Sequence, residues 1–165
     1  MVILAVHGGA GGDGPWRGMT DAYPQRVACM TALLESLGTQ LAAGTMTATE
    51  AVTLAVEAME DEALFNAGLG SVMDESGSVS MDASIMRGKD RAAGAVIGLT
   101  ASKHPIRVAR HLLEQGWPVV LAGPAADEFG AKNGVQQNES EWFVTDLRRA
   151  QWTKWKEQRL RPVSY

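Results

Sequence analysis

The segment 59–94 constrains the fold most, because it joins a helical pattern to an extended one through a glycine-containing loop. The loop holds Asn66 among apolar neighbours, and Gly68 and Gly70 follow it. Glycine tolerates positive φ and the close approach of other backbone, so the chain can turn sharply here. A helix that leads into strands through such a junction predicts a mixed fold with a loop suited to binding.

Extended segments follow that loop. Residues 78–85 alternate polar and apolar side chains, which is the period of a strand with one buried face. The polar turn at 74–77 predicts a hairpin over about 70–86. The continuous run of small apolar residues at 92–99 predicts a strand that is buried on both faces. The apolar face of the first strand consists of Val79, Met81, Ala83 and Ile85.

The residues before the loop predict one strand and two helices. The apolar and largely β-branched segment 2–6 is typical of a buried strand. Apolar residues recur at helical spacing over 24–43, where Gly44 ends the pattern. Thr47 and Glu50 have the spacing of a capping box that begins a second helix, and we expect both helices to cover one face of the sheet. The predicted buried stripe of the second helix is Val52, Ala55, Val56 and Met59.

The second half of the chain predicts alternating helix and strand. Pro105 stands at a first helical position and Gly116 ends that helix. A strand is predicted at 119–122 and one or two helical turns at 125–130. Thr145 is a typical N-cap for a last helix. The apolar face of the helix after Pro105 consists of Ile106, Ala109, Leu112 and Leu113.

The last helix is basic. From residue 145 onward six basic residues stand against two acidic ones, a net charge of +4, and this leaves −8 for the rest of a chain whose total is −4. Trp152 and Trp155, interleaved with these charges, raise the alternative of a nucleic-acid arm. A helix of mixed charge with tryptophans is more typical of a surface helix that is docked by a buried aromatic face. Residues 161–165 predict the start of a linker.

Length and composition predict one soluble domain over residues 1–165, since 45% of the residues are hydrophobic and 21% charged. No apolar run approaches the roughly 18 residues of a membrane span, and the N-terminus lacks the pattern of a signal peptide, so a cytoplasmic location is expected. The single cysteine, Cys29, cannot form an internal disulfide. It lies in a helical pattern without a nearby histidine, which argues against a catalytic thiol.

The glycine-rich segment 9–14 also fits the G-x-G-x-x-G spacing of a dinucleotide-binding loop. That motif needs a helix that opens within it and receives the pyrophosphate. Pro15 and Gly18 delay the next helical pattern to about Pro24. We therefore interpret the segment as an ordinary glycine loop and expect no organic cofactor.

Three separate motifs occur in order along the chain. They are His7-Gly8-Gly9-Ala10-Gly11, then Leu64-Phe65-Asn66-Ala67-Gly68-Leu69-Gly70, then Met81-Asp82-Ala83-Ser84-Ile85-Met86-Arg87-Gly88 with Ala93-Gly94-Ala95-Val96. Together they resemble the plant-type asparaginase and isoaspartyl aminopeptidase family of N-terminal-nucleophile hydrolases. The resemblance implies an α/β fold of the α+β type, an αββα sandwich of which this chain contributes half and a second (β) subunit completes the rest.

The resemblance also implies two binding features. It places the loop of His7, Gly8 and Gly9 beside the active site, whereas the residues alone indicate an ordinary turn with a packed histidine. It makes the loop around the acidic run 60–62 a structural sodium site, whereas the residues alone indicate a solvated helix end. Three histidines and one cysteine offer no cluster for a transition metal. The implied sodium ligands are the backbone carbonyls of Met59, Glu60, Glu62, Phe65, Ala67 and Leu69.

Asn66 is the predicted catalytic residue of this chain, in a supporting role. Its amide can donate and accept hydrogen bonds at once, and an oriented donor in a dry site stabilises developing charge. The alternative is that the amide only caps its own loop by bonding nearby backbone. The resemblance favours the catalytic role.

The nucleophile itself is missing from the chain. In the resembled family a threonine becomes N-terminal by self-cleavage, and its own α-amino group serves as the general base. The cleavage motif is a threonine followed by a small apolar residue and glycine, and no threonine of this chain has that context. The resemblance therefore implies an α-subunit whose nucleophile lies on a β-subunit from the same precursor, in an (αβ)2 heterotetramer.

The implied function is hydrolysis of L-asparagine and of β-aspartyl (isoaspartyl) dipeptides. These are small-molecule substrates, and neither nucleic acid nor membrane is an expected partner. Two alternatives stay open: a glycosylasparaginase-like amidase of the same fold, and a non-catalytic binding module that retains the fold. The loop of His7, Gly8 and Gly9 favours the asparaginase branch, and a threonine start downstream would separate an enzyme from a binding module.

Overall fold

A computed structural model describes residues 2–9 and 23–159. The helices there are α1 (Tyr23–Ala42), α2 (Ala48–Glu60), α3 (Pro105–Gln115), α4 (Pro124–Lys132) and α5 (Asp146–Arg159), with a 3-10 turn at Ser140–Phe143. The strands are β1 (Met81–Arg87), β2 (Ala92–Leu99) and β3 (Val120–Ala122). None of the helices in these ranges is long and apolar enough to cross a membrane. Residues 10–14 of the glycine-rich segment and the linker expected at 161–165 lie outside the described residues.

Local signals set the helix boundaries as predicted. Gly44 adopts a φ of 72° just after α1, and Gly116 ends α3 at a φ of 83°. The capping box of α2 is formed: the Oγ1 of Thr47 accepts the N–H of Glu50 at 3.2 Å, and the Glu50 carboxylate accepts the N–H of Thr47 at 2.8 Å. Short-range hydrogen bonds and glycine conformations therefore account for where these helices begin and end.

The sheet follows the order of the chain, and with the helices it confirms the mixed α and β class. β1 and β2 are antiparallel, whereas β2 and β3 are parallel. In this register Ile85 lies opposite Gly94, and Ala95 lies opposite Val120. The alternation predicted for β1 is confirmed. Met81 and Ile85 are buried, Asp82 and Ser84 are exposed, and Ala83 is half-buried.

The hairpin predicted over 70–86 is confirmed at its turn and is wrong in its extent. The turn at 74–77 exists, with the Oδ1 of Asp74 accepting the N–H of Ser76 and of Ser78, but a single bridge between Met73 and Val79 closes it. The longer ladder between β1 and β2 supplies the partner for residues 81–87 instead. Strand pairing is decided by that ladder and not by the polar turn.

α3 covers one face of the sheet. Gly94 of β2 lies so close to this helix that a Cβ on it would stand 2.5 Å from the backbone nitrogen of Leu113. The expectation that α1 and α2 cover this face is wrong for α1, which packs on α2, whereas α2 packs on α3 and also contacts β1. The apolar stripe of α3 covers most of this face of the sheet instead. The core here is Ile85, Val96, Leu99, Ile106, Val108, Ala109, Leu112, Leu113, Ala126 and Val135.

The buried stripe of α2 differs from the predicted one. Ala55 is buried as expected, but Val52 is 39% exposed, and Ala51 and Thr53 are buried in its place. The reason is that α2 turns its Thr53 side toward α3, where the Nη1 of Arg110 donates to the Thr53 Oγ1 at 3.2 Å. Val56 and Met59 are half-buried.

The opposite face of the sheet has no covering layer within the described ranges. Met86 is 63% exposed, Ile97 52% and Val120 48%. Within these ranges β2 is therefore buried on one face only, and burial of its second face stays a prediction. The strand predicted at 2–6 is absent as well, and Ile3 is 80% exposed, because none of the described strands pairs with this segment and satisfies its backbone groups.

α5 docks along the turn at 74–77. The indole Nε1 of Trp152 donates to the carbonyl of Asp74 at 2.8 Å, and its ring packs on Gly77. The predicted docking of the basic helix by an aromatic side chain is confirmed at Trp152. It is wrong for Trp155, which is 38% exposed because its ring lines an open surface cleft beside Glu75, with the guanidinium of Arg159 over it.

Candidate functional site

The loop after α2 is closed by its own backbone. The carbonyl of Glu60 accepts the N–H of Leu69 at 2.8 Å. Gly68 adopts a φ of +50° there, and a Cβ on it would collide with the backbone of Glu60. Phe65 is 3% exposed and anchors the loop in the protein. The residue after this anchor, Asn66, is therefore presented at the surface of a closed loop.

One hydrogen bond orients the Asn66 amide. Its Oδ1 accepts the backbone N–H of Val72 at 2.8 Å. This is the loop-capping contact that the sequence left as an alternative, and it engages only the oxygen. The amide nitrogen donates to no other described residue, so Nδ2 remains able to donate to a bound group.

Asn66 lines a cavity of about 260 Å³. Its wall includes three residues with polar side chains, Ser71, Ser80 and Asp82. The Oδ1 of Asp82 accepts the N–H of Gly98 at 2.8 Å, which ties this wall to β2. The full lining is Glu60, Asn66, Ala67, Gly68, Ser71, Val72, Ser80, Met81, Asp82 and Pro105. The cavity thus offers several donors and acceptors to a small polar group.

Glu60 is the buried acid of this cavity, at 3% exposure. Its Oε1 accepts the N–H of Ile106 at 3.1 Å, whereas its Oε2 has no hydrogen-bond partner. Burial, which outweighs that hydrogen bond and is reinforced by the charges of Glu57 and Asp61, raises the pKa of the carboxyl to about 8. The hydrogen bond between Ile106 and Glu60 joins the end of α2 to the first turn of α3.

Charged side chains reinforce the same junction. Asp61 accepts from the Nζ of Lys103 at 2.8 Å and lies 3.0 Å from the Nε2 of His104. Burial opposes the ionisation of Asp61, but these two hydrogen bonds outweigh it and lower its pKa. Arg107 pairs with Glu57 at 2.6 Å. This cluster is not predictable from the sequence, because nothing local in it shows that residues 103–107 meet residues 57–61.

The carbonyls proposed for sodium all belong to the closed loop. Three of them already accept backbone N–H groups, those of Met59, Glu60 and Glu62. The carbonyls of Phe65, Ala67 and Leu69 accept no backbone hydrogen bond within the described ranges.

A hard cation fits this donor set, because every donor is an oxygen and a carbonyl has two lone pairs. The described residues hold no group of three or more His, Cys, Asp or Glu that could bind a metal ion.

The loop of His7, Gly8 and Gly9 lies beside the Asn66 loop. A Cβ on Gly8 would stand 2.9 Å from both the Sδ of Met30 and the ring of Phe65. The N–H of Gly9 donates to the Nδ1 of His7 at 3.2 Å. This contact fixes a tight turn, and the turn packs on the side chain that precedes Asn66.

Cys29 lies on α1 as a free, half-buried thiol. Burial, helped by the charge of Glu62, raises its pKa above the ordinary value. A thiol with a raised pKa is a poor nucleophile because the thiolate is the reactive form.

Comparison with known proteins gives a family match over nearly the whole chain. The sequence profile of the family described as "Asparaginase" matches residues 1–164. The chain is 38% identical over 145 residues to an Arabidopsis thaliana protein named "Probable isoaspartyl peptidase/L-asparaginase 2", an alignment that covers 87% of this chain and 43% of that protein.

Relatives from other kingdoms match to the same degree. A "Plant-type L-asparaginase" of Pyrococcus abyssi is 37% identical over 166 residues, which cover 98% of this chain and 50% of that protein. A Homo sapiens "Isoaspartyl peptidase/L-asparaginase" is 38% identical over 144 residues, which cover 87% and 45%. The chain spans about half the length of the curated relatives that it matches.

Proposed function

Since this chain belongs to the asparaginase family, we propose that it is the α-subunit of an autocleaved threonine hydrolase that acts on L-asparagine and on β-aspartyl (isoaspartyl) dipeptides. One observation carries the proposal: the chain matches relatives that are named for these activities, over about half of the relatives' length. The remaining half of such a protein would form the β-subunit and complete an αββα sandwich in an (αβ)2 heterotetramer.

The proposed nucleophile is a threonine at the start of the β-subunit. Its hydroxyl attacks the side-chain carbonyl of the substrate, and ammonia or an amino acid leaves from the resulting tetrahedral intermediate. The α-amine, with a pKa of about 8, takes the hydroxyl proton near neutral pH and passes a proton to the nitrogen that leaves. Water then hydrolyses the acyl-enzyme and frees the nucleophile for another turnover.

Asn66 is the contribution of this chain to that reaction. Its Oδ1 is held by the N–H of Val72, so Nδ2 has a fixed direction in which to donate. A preorganised donor that meets developing charge, or that orients the nucleophilic hydroxyl, contributes several kcal/mol to lowering the barrier. The closed loop keeps this direction without reorganisation during the reaction.

A structural sodium ion is proposed for the loop of residues 59–69. Met59, Glu60, Glu62, Phe65, Ala67 and Leu69 would hold it through their carbonyls. The ion supplies no chemical step and would only keep the loop closed around Asn66.

Replacing sodium by a large organic cation should lower the melting temperature, with little dependence on pH because carbonyl ligands carry no proton to lose. The same melting temperature in both salts would count against the ion.

Substrate assays test the function. We expect the protein that contains both halves to release ammonia from L-asparagine and free amino acids from β-aspartyl dipeptides. Cleavage of glycosylated asparagine alone would identify the amidase alternative, and inactivity on all three substrates would favour the binding module. The cytoplasmic location stays a prediction from the sequence.

A further inference from the structure

The backbone that follows Asn66 is held at Gly70 by the C-terminal part of the chain. The N–H of Gly70 donates to the carbonyl of Phe143 at 2.9 Å, and its carbonyl accepts from the Nε of Arg148 at 2.6 Å. Gly70 adopts a φ of +92°, and a Cβ on it would stand 2.7 Å from the carbonyl oxygen of Ala63. Both polar backbone groups of this residue are therefore fixed by one distant segment.

Arg148 is itself held in place for this contact. It lies in the first turn of α5 and is 8% exposed. Its Nη1 donates to the Oε1 of Gln151 at 2.9 Å, and its backbone N–H donates to the Oγ1 of Thr145 at 3.2 Å. The planar fork of a guanidinium fixes the directions of its donors, which a flexible ammonium does not.

Two hydrogen bonds from α5 fix the backbone on either side of Val72, whose N–H binds Asn66. The Nε of Arg148 donates to the carbonyl of Gly70, and the indole Nε1 of Trp152 donates to the carbonyl of Asp74 at 2.8 Å. Val72 lies midway between these two points and donates its N–H to the Oδ1 of Asn66. These two hydrogen bonds limit where the backbone at Val72 can lie, and therefore the direction in which its N–H meets the Asn66 amide.

We propose that Arg148 is a positioning residue for Asn66, acting through Gly70 and Val72. This inference rests on the proposed hydrolase function, in which Asn66 faces the reacting atoms. It requires Arg148 to affect turnover through Asn66 and not through a contact of its own with the substrate.

A double-mutant cycle tests this requirement in the protein that contains both halves. Arg148→Met, Asn66→Ala and the double variant are compared for ammonia release from asparagine. We expect Arg148→Met to lower kcat by about tenfold with KM within about twofold, because a small displacement of a catalytic group costs rate. In the Asn66→Ala background the same substitution should change kcat by less than about twofold. Equal fold-losses in the two backgrounds would overturn the proposal.

Arg149→Met is the matched control. Arg149 is the next residue of the same helix, is exposed, and pairs with Glu141 at the surface, so its loss should leave kcat unchanged. If Arg148→Met does not fold, Arg148→Lys decides, because lysine keeps the charge and loses the fork. A smaller loss that disappears in the Asn66→Ala background supports the proposal, and a wild-type kcat in Arg148→Lys contradicts it.

Hydrogen exchange separates this inference from the proposed function. Arg148→Met should speed exchange of the backbone amides at 68–74, including that of Val72, whereas Arg149→Met should not. If the two-half protein proves inactive on asparagine, the proposed function fails, yet the exchange measurement still decides the role of Arg148. Unchanged exchange at Val72 in Arg148→Met would overturn that role.

Discussion

At the scale of single residues, the Asn66 amide separates a structural atom from a proposed functional one. Its oxygen holds the N–H of Val72, and its nitrogen donates to no other described residue. Substitutions that remove one atom and keep the other can therefore distinguish the stability of the loop from the rate of the reaction.

Asn66→Ala removes both atoms. We expect turnover to fall by about 10² or more, and the free energy of unfolding to fall by about 1 kcal/mol because the Val72 N–H loses its acceptor. Asn66→Asp is the matched variant, since it keeps an acceptor for Val72 and removes the donor. Its unfolding free energy should stay near that of the wild type while its turnover falls. Equal turnover in the wild type and Asn66→Ala would exclude Asn66 from the mechanism.

At the same scale, we expect Asp127 to contribute to the dependence of stability on pH. Burial opposes its ionisation, but the N–H of Thr100, the hydroxyl and N–H of Ser102 and the N–H of Ala101 donate to its carboxylate and together lower its pKa. A lowered pKa in the folded state means that the ionised carboxylate stabilises the fold above the unfolded pKa of about 4. That contribution is lost as the pH falls through the folded pKa.

Asp127→Asn should therefore lower the free energy of unfolding by about 1–3 kcal/mol at pH 7, because an amide cannot accept all these hydrogen bonds. The difference from the wild type should shrink as the pH falls below about 4. Urea unfolding from pH 7 to pH 3 measures it, and Glu128→Gln at an exposed neighbouring position is the control. A constant difference across that pH range would contradict this account.

At the scale of elements, the approach of α3 to β2 depends on Gly94. A Cβ there would meet the backbone nitrogen of Leu113 at 2.5 Å and the Cβ of Leu112 at 3.1 Å. Gly94→Ala should destabilise the protein by about 1–3 kcal/mol, because α3 has to move outward. Gly38→Ala on α1, where nothing lies within 4 Å, should stabilise by up to about 1 kcal/mol. Melting temperatures that change in the same direction for both variants would contradict this packing.

Elements with local causes were predictable from the sequence, and those with distant causes were not. The capping box of Thr47 and Glu50 and the helix end at Gly116 lie within a few residues of what they determine. The partner of β1 and the helix that covers the sheet are decided by packing between segments far apart in the chain. Residues 2–6 have the composition of a strand, but strand formation needs a partner that the described residues do not supply.

The candidate site also has a part that could be predicted from the sequence and a part that could not. The glycines around Asn66 revealed a loop, because their conformational freedom is visible in the sequence. The contact of Arg148 with Gly70 and the cluster of Lys103, His104 and Asp61 join segments that only the fold brings together. Periodicity and turn chemistry carry no information about such pairs.

At the scale of the whole molecule, the open face of the sheet is the main feature. Met86, Ile97 and Val120 are about half exposed or more and lie on the side away from α3. The relatives are about twice as long as this chain. In the proposed two-chain protein a second layer would bury this face, and we expect the chain without it to aggregate through its apolar surface and open strand edges.

The mass and activity of the protein that contains both halves test the two-chain account most directly. Intact-mass measurement should show two polypeptides, the second beginning with threonine, and this preparation should release ammonia from asparagine. Residues 1–165 produced alone should be inactive, since no threonine among them has the context of the nucleophile. A soluble, monomeric 165-residue product with full asparaginase activity would contradict the account.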